Sequence, residues 1–323
     1  MKALVTRARA LFGAGKRPAW VAPLLALVVV FCAIAARVPD TFLLPQNLLV
    51  MARQTVVVAT CALGMTLVIV TGGIDLSTGS LVALTTVVIA KLLKGGTSPA
   101  LAVLCALAVS GLVGATIGAF IGRLRLKPFV VTLGAMSVLR GAAKGLADEQ
   151  KIDCDPRGLE KTLAADLSAP GIWIALTLAV LVACVLTYTR FGRHVYAVGS
   201  NEAAARLVGI DTGRVKIAVY ALSSLLVGVA GVMEFSTLTV GDPTDSVGLE
   251  LDVIAAVVIG GGSLSGGEGS IAGSLLGALL MTVIRSGAVH LGMQSWVQEV
   301  VTGIIIVLAV ALDRARHRRT ARG

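Results

Sequence analysis

Charge is scarce in this sequence. Asp, Glu, Lys and Arg make up 14% of its 323 residues, against roughly 25% in soluble domains, too little polar surface to cover a water-soluble fold of this length. Histidine is scarcer: His194, His290 and His317 stand far apart with no H-E-x-x-H pair, and no Ser sits in a G-x-S-x-G elbow, which removes two common hydrolase patterns. The five cysteines, Cys32, Cys61, Cys105, Cys154 and Cys184, have no C-x-x-C spacing. Four lie in apolar stretches where Cys packs as a small hydrophobe, so neither a disulfide framework nor a metal site is expected. The chain reads as a non-enzyme with no catalytic, cofactor-binding or metal residues.

Phosphate loops are missing too. Gly267-Glu268-Gly269-Ser270-Ile271-Ala272 fits G-x-G-x-x-A, yet no acid lies between Glu268 and Glu299 to meet a ribose. Gly13-Ala14-Gly15-Lys16-Arg17 lacks the G-x-x-x-x-G-K-[ST] spacing, so this chain is not expected to hydrolyse ATP itself.

What is abundant is apolar: 56% of residues, with a mean hydropathy of +0.90. Runs long enough for membrane helices fall near 20–36, 48–70, 77–93, 99–121, 128–145, 171–187, 215–239, 251–264, 271–287 and 296–312. The first, Trp20 to Ala36, imitates a cleavable signal, but the later runs make it a retained span. The expected fold is an all-α polytopic membrane protein with about ten transmembrane helices and both termini cytoplasmic. Eight spans with two re-entrant pieces also fit, because Arg140 and Lys144 interrupt 128–145, and 251–264 is short and ends in glycines. The domains are a basic tail 1–19, one transmembrane domain 20–312 and a basic tail 313–323.

The net charge is +10, and its placement points to a membrane surface, not to nucleic acid. Lys2, Arg7, Arg9, Lys16 and Arg17 precede the first run, and Arg314, Arg316, Arg318, Arg319 and Arg322 follow the last. With the amino terminus inside, the two tails and the stretches 122–127 and 188–216 hold 18 of the 28 Lys and Arg, as the positive-inside rule requires. The segment 147–170 becomes the longest outer loop, with six acids and three bases.

Gly72 to Gly79 and Gly260 to Gly267 match at five of eight positions, an echo that related halves of a transporter would leave. Gly114, Gly118 and Gly122, and later Gly273 and Gly277, put small residues four apart on helix faces; such stripes pack closely within one subunit or between two copies. Asp75 or Ser77, after Gly72-Gly73, can cap the next helix and can also line a polar path, two compatible roles. Within 188–216, Ser200 or Asn201 can cap a two-turn helix, Glu202 favours its positive end, Ala203, Ala204 and Ala205 propagate it, and Gly209 ends it. A helix so short needs a surface to dock on.

This loop resembles the coupling segment of ABC importer permeases, an E-A-A followed by a Gly, in the branch that serves ribose, xylose and related monosaccharides. Further stretches carry the likeness: Gly64 to Ser77, Pro128 to Met136, and Glu250 to Gly261. Glu234 and the loop around Cys154 map onto no family motif. The resemblance implies a monosaccharide importer in the bacterial plasma (inner) membrane. A second permease copy, two separate ABC ATPase subunits and an extracytoplasmic sugar-binding protein would be its partners, and membrane lipid its surroundings. Asn201, Glu202, Ala203, Ala204, Ala205, Arg206 and Gly209 would transmit ATPase motion, and Asp75, Ser77, Ser263 and Ser265 are candidates for the sugar path. The alternative is an ion-gradient-driven secondary transporter, which needs a relay of membrane carboxylates such as Asp75, Glu234, Asp252 and Glu299.

Overall fold

The structure, a computed structural model, describes residues 20–162 and 170–320. The basic tail 1–19 with Gly13 to Arg17, the part 163–169 of the long loop, and Arg322 lie outside the described residues. In chain order the elements are α1 (Val21–Arg37), α2 (Pro39–Phe42), α3 (Pro45–Val70), α4 (Thr78–Lys94), α5 (Pro99–Gly122), α6 (Pro128–Leu146), β1 (Ile152–Asp153) and α7 (Leu159–Thr162). There follow α8 (Gly171–Tyr188), α9 (Arg190–Ser200), α10 (Glu202–Leu207), α11 (Thr212–Leu238), β2 (Val240–Gly241), α12 (Leu249–Ile259), α13 (Ile271–His290) and α14 (Ser295–Thr320).

Prolines mark several starts. α3, α5 and α6 each open on Pro, whose missing N–H is one the first turn leaves unbonded anyway. Six helices, α3, α5, α6, α8, α11 and α13, are long and apolar enough to cross a membrane, and Val21–Arg37 and Ser295–Ala311 are shorter apolar helices. The chain is therefore an all-α membrane protein. α3 and α4 are buried along most of their length at the centre, while α5, α6 and α8 turn Leu104, Leu112, Val130, Val138, Val180 and Leu181 outward, as lipid permits.

Lipid gives no hydrophobic drive for one helix to meet another, so close packing must hold the bundle. The glycine stripe of α5 supplies it within this chain. A Cβ at Gly114 would strike the Tyr220 carbonyl and Ser224, one at Gly118 would press on Ile217, and one at Gly122 would meet Gly213. α5 thus lies backbone against backbone on α11. Gly273 and Gly277 do the same for α13, seating it on Gly260 and Ala256 of α12.

The expected span 251–264 is shorter than its apolar run. α12 has 11 residues, about 16 Å at 1.5 Å per residue, half of a ~30 Å hydrocarbon core. It stops at Gly260-Gly261-Gly262, where Gly261 has φ +94°, a conformation that glycine adopts without strain. Apolar residues continue past this point, so hydropathy alone overestimates the helix. A two-stranded antiparallel ribbon joins β1 to β2, pairing Ile152 with Gly241 and Asp153 with Val240.

Candidate functional site

Two places concentrate polar and mechanical features: the short helix α10 with what lies behind it, and a cavity among α3, α11, α12 and α13.

α10 has the ends its sequence predicts. Asn201 caps it, its Oδ1 accepting the Ala204 N–H at 3.0 Å. Gly209, at φ +86°, ends it while its N–H donates to Arg206 O at 3.0 Å and that of Ile210 to Ala205 O at 3.0 Å, satisfying carbonyls the last turn leaves free. Glu202 ties the helix down: Arg206 reaches one carboxylate oxygen at 2.5 Å and Lys216 of α11 the other at 2.7 Å. Partial burial pushes the Glu202 carboxyl up, but the Lys216 ammonium and the Arg206 guanidinium outweigh it and hold the group below the usual carboxylate range. Ala205 is buried beneath, whereas Leu207 and Val208 are 88% and 77% exposed. The helix is rooted by one face and offers an apolar end outward.

The reading of 188–216 as one short helix misses α9, which precedes α10 and is capped by Thr189 accepting the Gly192 N–H at 3.1 Å. Its polar face made it look like loop; the Thr cap was the available signal. α9 carries α10 into the bundle. Tyr196 Oη donates to Gly269 O at 3.0 Å, and at the end of α9 a Cβ on Gly199 would collide with the Val70 carbonyl. Gly267 N–H donates to that same carbonyl at 2.8 Å. A Cβ on Gly266 would come within 3.0 Å of Gly72. The two echoing glycine segments, 72–79 and 260–267, therefore touch each other at the end of α9.

Asp75 and Ser77 face each other inside the bundle, 1% and 0% exposed. Asp75 Oδ1 accepts the Ser77 N–H at 2.9 Å and the Ser77 hydroxyl at 2.6 Å, closing a local turn ahead of α4 instead of capping the free amides of α4. Ser263 is buried and its Oγ accepts the Ser265 N–H at 3.3 Å, while Ser265 is exposed.

None of these four lines the cavity among α3, α11, α12 and α13. That cavity measures about 200 Å³ and takes its polar lining from Gln54, Glu234, Asp245, Ser246, Asp252, Thr282 and Arg285. Arg285 Nη1 donates to Asp252 Oδ2 at 2.7 Å, and Ser246 Oγ donates to Asp245 Oδ2 at 2.9 Å. Three carboxylates, an amide, hydroxyls and one guanidinium thus converge where α12 and the loop before it meet α3, α11 and α13, a donor and acceptor set that suits hydroxyl groups. Of the proposed carboxylate relay, Glu234 and Asp252 share this space; Glu299 is exposed on α14 and Asp75 is occupied by Ser77. The sequence reading missed Gln54, Asp245 and Arg285, although an Arg inside an apolar run is itself a signal.

A polar cavity within a helical membrane bundle, with a capped helix rooted beside its glycine joint, defines the membrane subunit of a transporter. The family described as branched-chain amino acid transport system / permease component matches residues 47–310, and the chain belongs to this family. It is similar to the ribose import permease protein RbsC of Escherichia coli (strain K12), 38% identical over 303 residues, 91% of this chain and 93% of that protein. The L-arabinose ABC transporter permease protein AraH of Azospirillum brasilense is 35% identical over 91% of this chain and 87% of its own length. The fructose import permease protein FrcC of Rhizobium meliloti is 33% identical over 90% and 84%. No solved structure matches. The chain is a permease component of an ABC importer, a multi-pass protein of the bacterial plasma (inner) membrane and not an enzyme.

Proposed function

We propose that this chain forms the membrane pathway of a monosaccharide importer, and that the cavity of Gln54, Glu234, Asp245, Asp252 and Arg285 is part of that pathway. One observation carries the reading: a hydroxyl-binding side-chain set inside a chain whose relatives are named for ribose, L-arabinose and fructose. Carboxylates and guanidinium hold neutral polyols by paired hydrogen bonds without requiring a charge on the solute. Asp75, Ser77 and Ser263 support the helix breaks behind the cavity, and Ser265 lies beside the glycine joint.

The chain crosses the membrane ten times with both termini in the cytoplasm. The eighth crossing is split: the loop 242–248 descends from the ribbon, where Lys151 meets Asp242 at 2.9 Å, and α12 completes it. Glu250 abuts Gly79 at the start of α4, and Gly260 abuts Gly273 at the start of α13, the contacts expected of such a descent. The basic stretches 122–127 and 188–216 meet at one end, Gly122 against Gly213, and that end is cytoplasmic. Cys154 then reacts with an impermeant thiol reagent on intact spheroplasts, and a Cys replacing Val208 reacts only once the membrane is opened. Labelling of both from outside would overturn this topology.

Two copies of the chain stand side by side, an ATPase subunit docks on Leu207 and Val208 of each, and a sugar-loaded binding protein settles on the loop 147–170. Closure of the ATPases moves α10, which pulls through α9 on the joint of Gly199, Val70 and Gly267. This is a rigid-body switch of the kind that alternates access. Uptake of labelled ribose, L-arabinose and fructose into proteoliposomes holding the assembled importer tests the reading. Vanadate-sensitive uptake that ignores a protonophore supports it; uptake by the chain alone that collapses with the protonophore establishes the secondary transporter instead.

A further inference from the structure

The outer wall of the cavity is a loop with little regular structure. Between β2 and α12 it runs with Ser246 at φ +56°, and Thr239 just before β2 sits at φ +59°, conformations that a residue with a side chain keeps only where its surroundings hold it. Bonds within the loop supply part of the hold, Thr244 N–H donating to Asp242 Oδ1 at 2.8 Å, and one neighbouring stretch of chain adds to it. Arg140, on α6, donates from Nη1 to Pro243 O at 2.9 Å and to Asp245 O at 2.7 Å. Lys151, just beyond α6, meets Asp242 at 2.9 Å. Asp245 is thereby fixed twice, through its carbonyl by Arg140 and through its carboxylate by Ser246 Oγ at 2.9 Å, and Asp245 lines the cavity.

A guanidinium in a membrane-length helix is costly unless it has a purpose and partners. Here its partners are two loop carbonyls, and Glu250, Asp245 and Asp242 act on it electrostatically. We infer that Arg140, which does not line the cavity, is the positioning residue for Asp245 and for the loop 242–248, and so sets both the closure of the cavity's outer wall and the solutes it accepts. The part about solutes rests on the cavity being the sugar path; the part about closure does not. Because Arg140 and Lys151 bracket the end of α6, a displacement of the segment that follows α6 is passed to Asp245 at two heights of the same loop.

Val247, 67% exposed on this loop, serves as reporter. In the assembled importer, with native cysteines replaced by Ser, Val247→Cys is labelled with an impermeant maleimide in the Arg140, Arg140→Lys and Arg140→Met backgrounds. Labelling is expected to quicken at least about tenfold in Arg140→Met, because both charge-assisted hydrogen bonds to the loop are lost and one alone is worth about that factor, and to return toward the parent rate in Arg140→Lys. Basal ATPase activity, read in the same preparations, stays unchanged. In uptake assays Arg140→Met raises the apparent KM and alters the preference among ribose, L-arabinose and fructose, and adding Asp245→Asn brings no further change. If Arg140→Met fails to insert, Arg140→Gln, which keeps two N–H donors on one nitrogen, takes its place. An unchanged labelling rate overturns the inference, as does a loss of uptake that only follows the amount of protein in the membrane. Altered labelling with no sugar carried by any form leaves the clamp standing and removes the sugar reading.

Discussion

Gly267 donates its backbone N–H to the carbonyl of Val70 at 2.8 Å, joining the end of α3 to the segment that follows α12. Gly199 completes the joint, since a Cβ there would run into the same carbonyl. Gly199→Ala forces backbone, not a flexible side chain, to move, an overpacking that costs about 1 to 3 kcal/mol. Uptake should fall severely while the ATPase subunits still copurify and hydrolyse ATP without response to the loaded binding protein. Wild-type uptake in this variant would remove the joint from the mechanism.

Ala205→Pro tests α10 itself. Ala205 N–H donates to Asn201 O at 2.9 Å; proline removes that bond and clashes with that carbonyl, at about 3 kcal/mol or more. Expression and insertion should remain near normal, because α10 lies outside the membrane-length helices, while uptake drops to background. Transport at the parent rate would show that this helix is not the mechanical link.

Glu202 gives α10 a defined response to acid. Its carboxyl lies below the usual range in the folded protein, so the unfolded state binds the proton more readily. Stability from the Lys216 and Arg206 contacts is complete above the ordinary carboxylate value of about 4.3 and is lost as the pH falls through the lower folded value. Protection of amides 203–208 against hydrogen exchange, taken relative to the intrinsic rate at each pH, should hold steady near neutral pH and fall only under acid. Glu202→Gln should exchange faster at neutral pH and lose the acid step; an acid step that persists in Glu202→Gln would assign it to another group.

The Asp252 to Arg285 pair should behave asymmetrically. Arg285→Met leaves Asp252, largely buried, without its partner, and the half-exposed position of Arg285 keeps the cost to about 1 to 3 kcal/mol. Thermal unfolding in detergent should show Arg285→Met less stable than the parent and Arg285→Met/Asp252→Asn closer to it. Equal melting of the parent and Arg285→Met would mean the pair contributes nothing.

Features set by neighbours in sequence were legible before the fold was known. Asn201 and Gly209 bound α10 as read, because a cap and a left-handed glycine act within a few residues, whereas the start of α3 at Pro45, three residues before the apolar run, was not read from the sequence. The glycine stripe on α5 announced a close approach, but nothing in its spacing names α11 as the neighbour. Asp75 and Ser77 were read first as a helix cap and also as part of a polar path, and the turn they close on each other takes the place of the cap. The cavity was hidden for a plainer reason: Gln54, Glu234, Asp245 and Arg285 come from four separate stretches, and only packing brings them together. The length of α12 was overestimated because apolar composition continues through glycines that end the helix.

The position of α12 has an electrical consequence. It starts inside the bundle, at Leu249 beside the cavity, so the positive end of its dipole, worth roughly half a unit charge, falls among Glu250, Asp252 and Asp245. Together with Arg285 it offsets part of the cavity's three carboxylates but not all of them. On the proposed path a neutral polyol meets donors and acceptors without a barrier of like charge, whereas a phosphorylated sugar would be repelled, so the same residues that receive a free sugar would keep its charged ester from leaving by this route.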